Sequence, residues 1–341
     1  MAVNKLQEKL PNVSIIILTH NGSNYIESLL RSLLDQSYPS KKMEIIVVDN
    51  ASTDNTVSLI QENFPNVRLI PLKINAGFAS GNNQALKYAQ NDFLVFLNQD
   101  TICHQEWLRG LVLGILMDTE IGACTSNIVI PHLNEFRCID RHSPLDSLYF
   151  YDLSPFGYAK YYKITGKSSV FPKMLSGCSF IIRRETIAEL GYLFDDQLSM
   201  YVEDTDLSLR IQNFGKVICA VKDSIIYHHH RSDIHISLTQ LRLAVRAIMN
   251  RVYVFFKNMR GLEFLLFFPI LFFGGGLKIF QFHLSTSKKV IYLLPFAIFS
   301  MVCMLLALLC LAKYLTSRGT ILRKRSDNRF LILKLLLKHN I

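Results

Sequence analysis

The side chains in this sequence best suited to chemistry are carboxylates that follow apolar runs or open a helix. Asp49 and Asp100 each come directly after a run that suits a buried strand, and Glu203 and Asp204 stand together before a helical pattern. A carboxylate at the end of a strand can hold a divalent cation against phosphate oxygens. A carboxylate beside a hydroxyl can accept its proton. These residues therefore predict a site for a substrate that carries phosphate.

Alternating strands and helices must position these carboxylates. Apolar runs predict strands at residues 13–18, 43–48, 67–70 and 93–97, and helical spacing predicts helices at residues 26–34 and 57–60. This alternation is typical of an α/β fold with a parallel sheet and right-handed crossovers. Polar clusters end three of the strands, at residues 19–22, 49–54 and 98–100. We expect them to share the carboxyl edge of the sheet, where open α/β sheets bind ligands.

Six motifs between residues 13 and 232 resemble, in order and spacing, the family 2 glycosyltransferases: VSIIILTHNG, EIIVVDNASTDNT, NAGFASGNNQAL, FLVFLNQDT, SGCSFIIRRETIAELGYLFDD and MYVEDTDLSLRIQNFG. The resemblance is closest to the rhamnosyltransferase-like branch that builds bacterial surface polysaccharides. It implies an inverting enzyme whose GT-A domain has a mostly parallel central sheet. Its donor would be a nucleotide-diphosphate sugar.

The resemblance also implies which residues bind the nucleotide-sugar. The turn after the first strand and Asp49 would hold the nucleobase and ribose, and the loop at Asn75 would approach the diphosphate. The full set of donor-binding candidates is Thr19, Asn21, Asp49, Asn75, Gly77, Asn98 and Asp100. Asp54 is a weaker candidate, because an N-cap for the helix from Asn55 onward explains it better.

A divalent cation, Mg²⁺ or Mn²⁺, is the cofactor that the resemblance implies. Asp100 matches the second acid of the family's Asp-x-Asp pattern, and Asn98 stands where the first acid would be. Since Mg²⁺ keeps several waters, one protein carboxylate can serve. His228 matches a further family ligand because Ser232 follows four positions later. The alternatives are that Asp100 caps the helix containing Trp107 and that the histidine run is a solvated loop.

The acid pair Glu203-Asp204, which precedes the helical pattern at residues 207–210, matches the family's acceptor segment. The resemblance assigns Asp204 as the base that takes the acceptor proton, with Glu203 second. The alternative is that both acids only interact with the helix dipole.

An aromatic segment at residues 130–173 separates the donor motifs from the acceptor segment and lies outside the resemblance. It could form a flap that faces the acceptor, because aromatic rings pack well on sugars, or a loop that covers the sheet, which is the interpretation we favour.

Charge is divided unequally along the chain. Of 37 Lys and Arg residues, 15 lie from residue 246 onward beside two acids, so that region carries +13; the remaining 22 bases and 25 acids give the body −3. A basic, apolar tail favours an anionic membrane surface, and a body without basic clusters argues against nucleic acid as a partner.

Seven scattered cysteines without a CxxC pair predict a reducing cytosol, and the polar first residues predict no signal peptide. Gly77 and Gly81 lack the full G-x-G-x-x-G pattern, so a dehydrogenase is not expected.

The tail predicts membrane-spanning helices. Residues 290–312 form an uncharged run of 23 residues, about 34 Å as a helix, which is enough for a hydrocarbon core of roughly 30 Å. Residues 262–282 are interrupted by Glu263, Pro269 and Lys278, so they could span, re-enter or lie in the interface. Basic residues on both flanks favour a hairpin with both ends inside. We therefore expect a catalytic domain at residues 1–245 and a membrane-anchoring region at residues 246–341.

The combined expectation is an inverting glycosyltransferase at the inner membrane, with its catalytic domain facing the cytoplasm. It would move a sugar, with rhamnose from its dTDP form expected, to a hydroxyl of a lipid-linked glycan. One alternative is a polyprenyl-phosphate glycosyltransferase. Another, of a different class, is a non-catalytic component that binds a nucleotide-sugar within a glycan-assembly complex.

Overall fold

The first half of the chain alternates strands and helices, as the apolar runs predict. The computed structural model describes residues 10–129, 149–153, 159–163, 169–198, 200–229, 238–259 and 301–302. Its first elements are β1 (Val13–Thr19), α1 (Ile26–Leu34), β2 (Met43–Asp49), α2 (Thr56–Asn63), β3 (Arg68–Pro71), α3 (Phe78–Ala85) and β4 (Phe93–Asn98), with one 3-10 turn at Ser40–Lys42. Every strand and helix predicted in this region is confirmed, with ends that differ by a few residues.

These four strands form the parallel half of the sheet, in the order β3-β2-β1-β4. The register places Thr19 opposite Asp49 and Leu18 opposite Asn98. The polar clusters after β1, β2 and β4 consequently leave the sheet at one edge, as predicted.

The second half is mixed. It contains β5 (Thr101–Cys103), α4 (Trp107–Leu116), β6 (Ile121–Val129), β7 (Tyr149–Leu153), β8 (Ala159–Lys163), β9 (Ser169–Val170), β10 (Ser179–Arg183), α5 (Arg184–Leu190), α6 (Glu203–Asn213), β11 (Val217–His228) and α7 (Leu238–Asn258). The sheet continues β4-β10-β6-β11-β5, with β10 antiparallel to both of its neighbours. The expectation of parallel pairing thus holds up to β4 and again between β6 and β11. Beyond β4, β10 reverses direction, because the chain re-enters the sheet from the edge at which β4 ends.

Helices cover both faces of the sheet, which explains why its central strands are continuous apolar runs. Alternate residues of one strand point to opposite faces. One face packs with α1 and α4 through Ile15, Ile17, Val95, Leu97, Leu29, Leu33, Trp107 and Leu111. The other packs with α3, α5 and α6 through Ile16, Val48, Leu94, Phe96, Ala79, Ile187, Leu207 and Ile211.

The aromatic segment contributes a hairpin to the sheet. β7 pairs with β6 and β8, and the rings of Phe150 and Tyr162 stack with centroids 5.7 Å apart. The described part of this segment therefore extends the sheet, so the favoured interpretation of residues 130–173 as a loop that covers the sheet is wrong for β7, β8 and β9. Residues 130–148, 154–158 and 164–168 lie outside the described residues.

The predicted division at residue 245 falls within α7, which runs without a break from Leu238 to Asn258. Of the predicted spans, all but residues 301 and 302 lie outside the described residues. Within the part of the chain that the structure describes, no helix combines the length and apolar character needed to cross a membrane.

Candidate active site

The loops at the carboxyl edge are joined to one another by hydrogen bonds. Gln99, just after β4, accepts hydrogen bonds from the Thr19 hydroxyl at 2.6 Å and from the His20 backbone N–H at 2.9 Å. A Cβ at Gly22 would clash with the side chains of Gln99 and Thr19, so a larger residue there would displace their hydrogen bond. The end of β1 and the end of β4 are thereby held as one surface.

The loops after β1 and β2 are also joined. Asn21, with a positive φ of 49°, accepts a hydrogen bond from the Thr53 backbone N–H at 2.8 Å. Asp54 accepts bonds from Ser23 and Thr56, which outweigh the opposing effect of burial and lower the pKa of its carboxyl to about 2. The N-cap position is Asn55, one residue later than predicted, but Asp54 still stabilises the start of α2 through the Thr56 N–H. Asn21 fixes the loop geometry.

Asp49 lies at the end of β2 with a carboxylate only partly engaged. Its residue is 2% exposed, Oδ2 accepts the Ser52 N–H at 3.0 Å, and buried Oδ1 has no hydrogen-bond partner. A buried acceptor without a partner is costly, so a donor N–H or O–H from a ligand would stabilise it. This is the chemistry predicted for the grip on a nucleobase or ribose.

Asn50 holds the loop that precedes α3 against this strand end. Its amide donates to the Asn75 Oδ1 at 3.0 Å and its Oδ1 accepts the Ala76 N–H at 2.7 Å. Gly77 follows with a φ of 78°, a conformation that favours glycine, and is the N-cap residue before α3. Asp49, Asn75 and Gly77 are therefore brought together, as predicted.

Asp100 and His228 meet although they are distant in sequence. β11 pairs antiparallel with β5, so His228 lies opposite Thr101, and its Nε2 is 3.4 Å from the Asp100 Oδ1. α4 begins at Trp107, preceded by Glu106, so the alternative of Asp100 as its cap is wrong.

Asn98, at the end of β4, donates its backbone N–H to the Cys178 carbonyl at 2.9 Å.

The donor set fits a cation only in part. Asp100 and His228 offer one carboxylate oxygen and one imidazole nitrogen, and in the described residues no group of three or more His, Cys, Asp or Glu side chains is arranged to hold a metal ion. Mg²⁺ and similar ions complete their coordination with water and substrate phosphates. The pair therefore fits an ion that is bound together with a diphosphate.

Glu203 and Asp204 open α6 at the same edge. Both residues keep some surface exposure, while protein atoms surround their carboxyl groups. Burial, reinforced by the charge of Asp204, raises the pKa of Glu203 to about 8. Burial also raises the pKa of Asp204 to about 6, although N–H groups of Thr205 and Gly177 oppose it. A carboxylate with a pKa near neutrality is suited to general base work.

The turn before β10 links the acids. A Cβ at Gly177 would lie 3.3 Å from the Asp204 Cβ. Asn98, two residues before Asp100, donates its backbone N–H to the Cys178 carbonyl. The turn at residues 177–178 therefore contacts both Asp204 and the end of β4 just before Asp100. Burial raises the pKa of the Cys178 thiol to about 12, and the charges of Asp100 and Asp204 contribute to that rise.

Comparison with known proteins agrees with this geometry. Residues 14–190, just over half of the chain, match the family model described as glycosyl transferase family 2. The chain belongs to this family. It therefore carries a glycosyltransferase domain.

Several curated relatives share part of the family 2 domain. The probable glycosyltransferase YdaM of Bacillus subtilis (strain 168) is 26% identical over 214 residues, 61% of this chain and 48% of YdaM. The poly(ribitol-phosphate) beta-N-acetylglucosaminyltransferase TarS of Staphylococcus aureus is 35% identical over 99 residues, 28% of this chain and 17% of TarS. The putative teichuronic acid biosynthesis glycosyltransferase TuaG of Bacillus subtilis is 38% identical over 93 residues, 26% of this chain and 36% of TuaG. This chain spans less than half the length of each.

Solved structures share the fold. GalNAc-T7 with UDP, GalNAc and Mn²⁺ superposes with a TM-score of 0.61 at 18% identity, covering 83% of this chain and 54% of that chain. The mannosyltransferase PcManGT from Pyrobaculum calidifontis, in complex with GDP-Man and Mn²⁺, gives 0.52 at 18% identity, covering 98% and 88%. At this identity the likeness shows the fold alone, a GT-A-like α/β architecture.

Sequence reasoning missed two groups of residues at this site. Asn50 and Gln99 lie inside polar clusters that were identified, but their bridging role depends on which strands are neighbours. Asn250 of α7 reaches the carbonyl oxygens of Met200 and Tyr201 at 3.1 and 3.2 Å, and no motif in the sequence points to it.

Proposed function

We propose that this chain transfers a sugar from a nucleotide-diphosphate donor to an acceptor hydroxyl, with inversion at the anomeric carbon. The observation that carries the proposal is that the turn at residues 177–178 contacts Asp204 and the end of β4 just before Asp100, at the edge where Asp49 ends β2. That arrangement would supply a donor grip, a diphosphate site and a base along one edge of the sheet.

The donor half is supported by the buried, unpartnered Oδ1 of Asp49 and by the loop at Asn75 that Asn50 holds. The nucleoside would lie over the ends of β1 and β2 beside Thr19 and Asn21. Its diphosphate would point toward Asn98 and Asp100. A preorganised acceptor such as Asp49 discriminates strongly against ligands that cannot donate to it.

Asp100 and His228 would hold a divalent cation, Mg²⁺ or Mn²⁺, which neutralises the leaving diphosphate. Asp204 would accept the proton of the acceptor hydroxyl as its oxygen attacks the anomeric carbon. The bond from that carbon to the diphosphate oxygen breaks, and the electron pair leaves with the nucleoside diphosphate. Glu203, with a pKa of about 8, would stay neutral at pH 7, so that Asp204 is the carboxylate of the pair.

The finer assignment is a bacterial enzyme of surface polysaccharide synthesis at the cytoplasmic face of the inner membrane. Expected partners are dTDP-rhamnose as donor, a glycan on a polyprenyl carrier as acceptor, and anionic lipid beside the basic tail. The names of TarS and TuaG support cell-surface polymers as the acceptor class. The uncharged run at residues 290–312 supports the membrane location.

A donor panel tests this function. The full chain, in membranes, would be incubated with dTDP-rhamnose, UDP-glucose, UDP-N-acetylglucosamine and GDP-mannose, with Mn²⁺ and a lipid-linked acceptor extract, and products read by mass spectrometry. Transfer to a glycan hydroxyl that requires Asp204 supports the proposal. A sugar attached directly to polyprenyl monophosphate would instead identify a polyprenyl-phosphate glycosyltransferase, and nucleotide binding without turnover of any donor would identify a binding component.

A further inference from the structure

The residues just before the acid pair have a strained backbone. Tyr201 and Val202 have φ values of 68° and 72°, in the left-handed region that non-glycine side chains rarely adopt. Two adjacent residues of this kind persist only where their surroundings hold them. Residues 200–202, which we name the acid turn, set the point at which α6 begins and therefore the position of Asp204.

The acid turn is held from α7, outside the region that the family model matches. The Asn250 amide donates to the carbonyl oxygens of Met200 and Tyr201. Val202 packs with Tyr253 and Val254 of the same helix in a small apolar cluster. One face of α7 thus contacts every residue of the turn.

α7 is itself fixed to α6 by buried charges. Lys257 is fully buried and its Nζ lies 2.7 Å from carboxylate oxygens of both Asp195 and Asp206. The Asn258 amide donates to Asp206 at 2.9 Å, and the Tyr253 hydroxyl donates to Asp195 at 2.6 Å. Breaking a buried ion pair leaves an uncompensated charge, which is strongly unfavourable. These contacts therefore hold α7 in place against α6.

The other end of the same segment is tied to the donor side. Asp196 accepts hydrogen bonds from Ser80 and Asn83 of α3 at 2.7 and 2.9 Å. Asn83 also donates to the Phe194 carbonyl at 2.8 Å. The stretch that leads to Asp204 is therefore anchored at its start to α3 and at its end to α7.

We infer that Asn250 is a positioning residue for the proton-accepting carboxylate, and that α7 acts as a clamp on the acid turn. The inference rests on the proposed role of Asp204 as base. In this inference Asn250 touches neither substrate nor cation. It acts through its hydrogen bonds to the carbonyl groups of Met200 and Tyr201. Without those bonds, Tyr201 and Val202 would relax to negative φ. Relaxation would rotate the first turn of α6 and move Asp204 away from Gly177.

The test compares Asn250→Ala with Asn63→Ala in the full chain. Asn63 makes the same kind of bond, from its amide to the Leu59 carbonyl at 3.0 Å, at an exposed position of α2. Amide hydrogen exchange at residues 200–206 should become faster in Asn250→Ala and stay unchanged in Asn63→Ala. Binding of dTDP with Mn²⁺ should be retained in both. Unchanged exchange at the acid turn in Asn250→Ala would overturn the inference, whatever donor the enzyme uses.

Turnover of the donor that the panel selects gives the second readout. Since an error of about 1 Å in a reacting group can cost 10²-fold, kcat should fall by about 10- to 100-fold in Asn250→Ala with little change in donor KM. Tyr201→Gly in the same chain should restore part of the loss, because glycine adopts a positive φ without strain. Loss of activity in Asp204→Asn together with an unchanged kcat in Asn250→Ala would refute the clamp alone. Full activity in Asp204→Asn would refute the base itself.

Discussion

The Nε2 atom of His228 lies 3.4 Å from the Asp100 carboxylate, because the antiparallel pairing of β11 with β5 carries the end of one strand to the start of the other. Neither residue could form a cation site alone. Their contact places the histidine that ends β11 beside the acid that follows β4, at the edge where the diphosphate is expected.

The first prediction concerns this pair. Replacing His228 by Ala should raise the Mn²⁺ concentration needed for half-maximal activity by about 10- to 100-fold, the range for lost support at metal sites. His229→Ala is the matched control, since its ring contacts Tyr25 and its bond to the Asp100 carbonyl comes from the backbone N–H, which the substitution keeps. Titration of activity against Mn²⁺ measures both, and an equal shift in the two variants would remove His228 from the cation site.

The second prediction concerns the base. Asp204→Asn keeps the size of the side chain and removes its ability to accept a proton, so kcat should fall by about 10²- to 10⁴-fold. Binding of the nucleoside diphosphate, measured by calorimetry, should stay within about twofold of the wild type, because the proposed role of Asp204 is toward the acceptor. A variant that loses nucleotide binding together with turnover would place Asp204 in the donor site instead.

The third prediction is the pH dependence of activity and stability. Because burial raises the pKa of Asp204 to about 6, kcat/KM should fall as the pH drops through 6 and the carboxylate is protonated. Glu203, with a folded pKa raised to about 8, contributes stability at low pH that is lost as the pH rises through about 8. Glu203→Gln should therefore raise Tm at pH 9 more than at pH 5. A Tm gain that is equal at both pH values would contradict the raised pKa.

The fourth prediction separates the two acids after β2. Asp49→Asn should raise donor KM and leave Tm nearly unchanged, because its Oδ1 has no partner to lose. Asp54→Ala should lower stability by about 1 kcal/mol, the usual cost of a lost helix cap, since it removes the bonds to Ser23 and Thr56. Thermal unfolding and donor saturation curves on both variants provide the comparison, and the opposite pattern would reverse the assignments.

The fifth prediction concerns the buried lysine of α7. Lys257→Ala leaves Asp195 without its cation and Asp206 with Arg210 alone, which should cost about 3–5 kcal/mol of unfolding free energy. Lys41→Ala, at an exposed position, is the control and should change stability by less than about 0.5 kcal/mol. Denaturant unfolding measures both. A small effect at Lys257 would mean that α7 is not fixed to α6 by this network.

Sequence pattern predicted the first half of the fold well because buried parallel strands leave continuous apolar runs, such as that of β4, with polar turns at their ends. It could not predict that β10 runs antiparallel between β4 and β6, because its apolar residues would suit either direction. Asp100 was recognised from its place after a strand. Asn250 was not, since an asparagine on a helix has no pattern that indicates a partner 50 residues earlier.

The most direct test of the account is anomalous diffraction from crystals of the protein with Mn²⁺ and dTDP or UDP. The account predicts a manganese peak bound by the Asp100 carboxylate and the His228 imidazole, with the diphosphate on the ion, the nucleoside against Asp49 and the Asp204 carboxyl facing the same cleft. A nucleotide that binds elsewhere, or an ion that leaves both Asp100 and His228 uncoordinated, would contradict it.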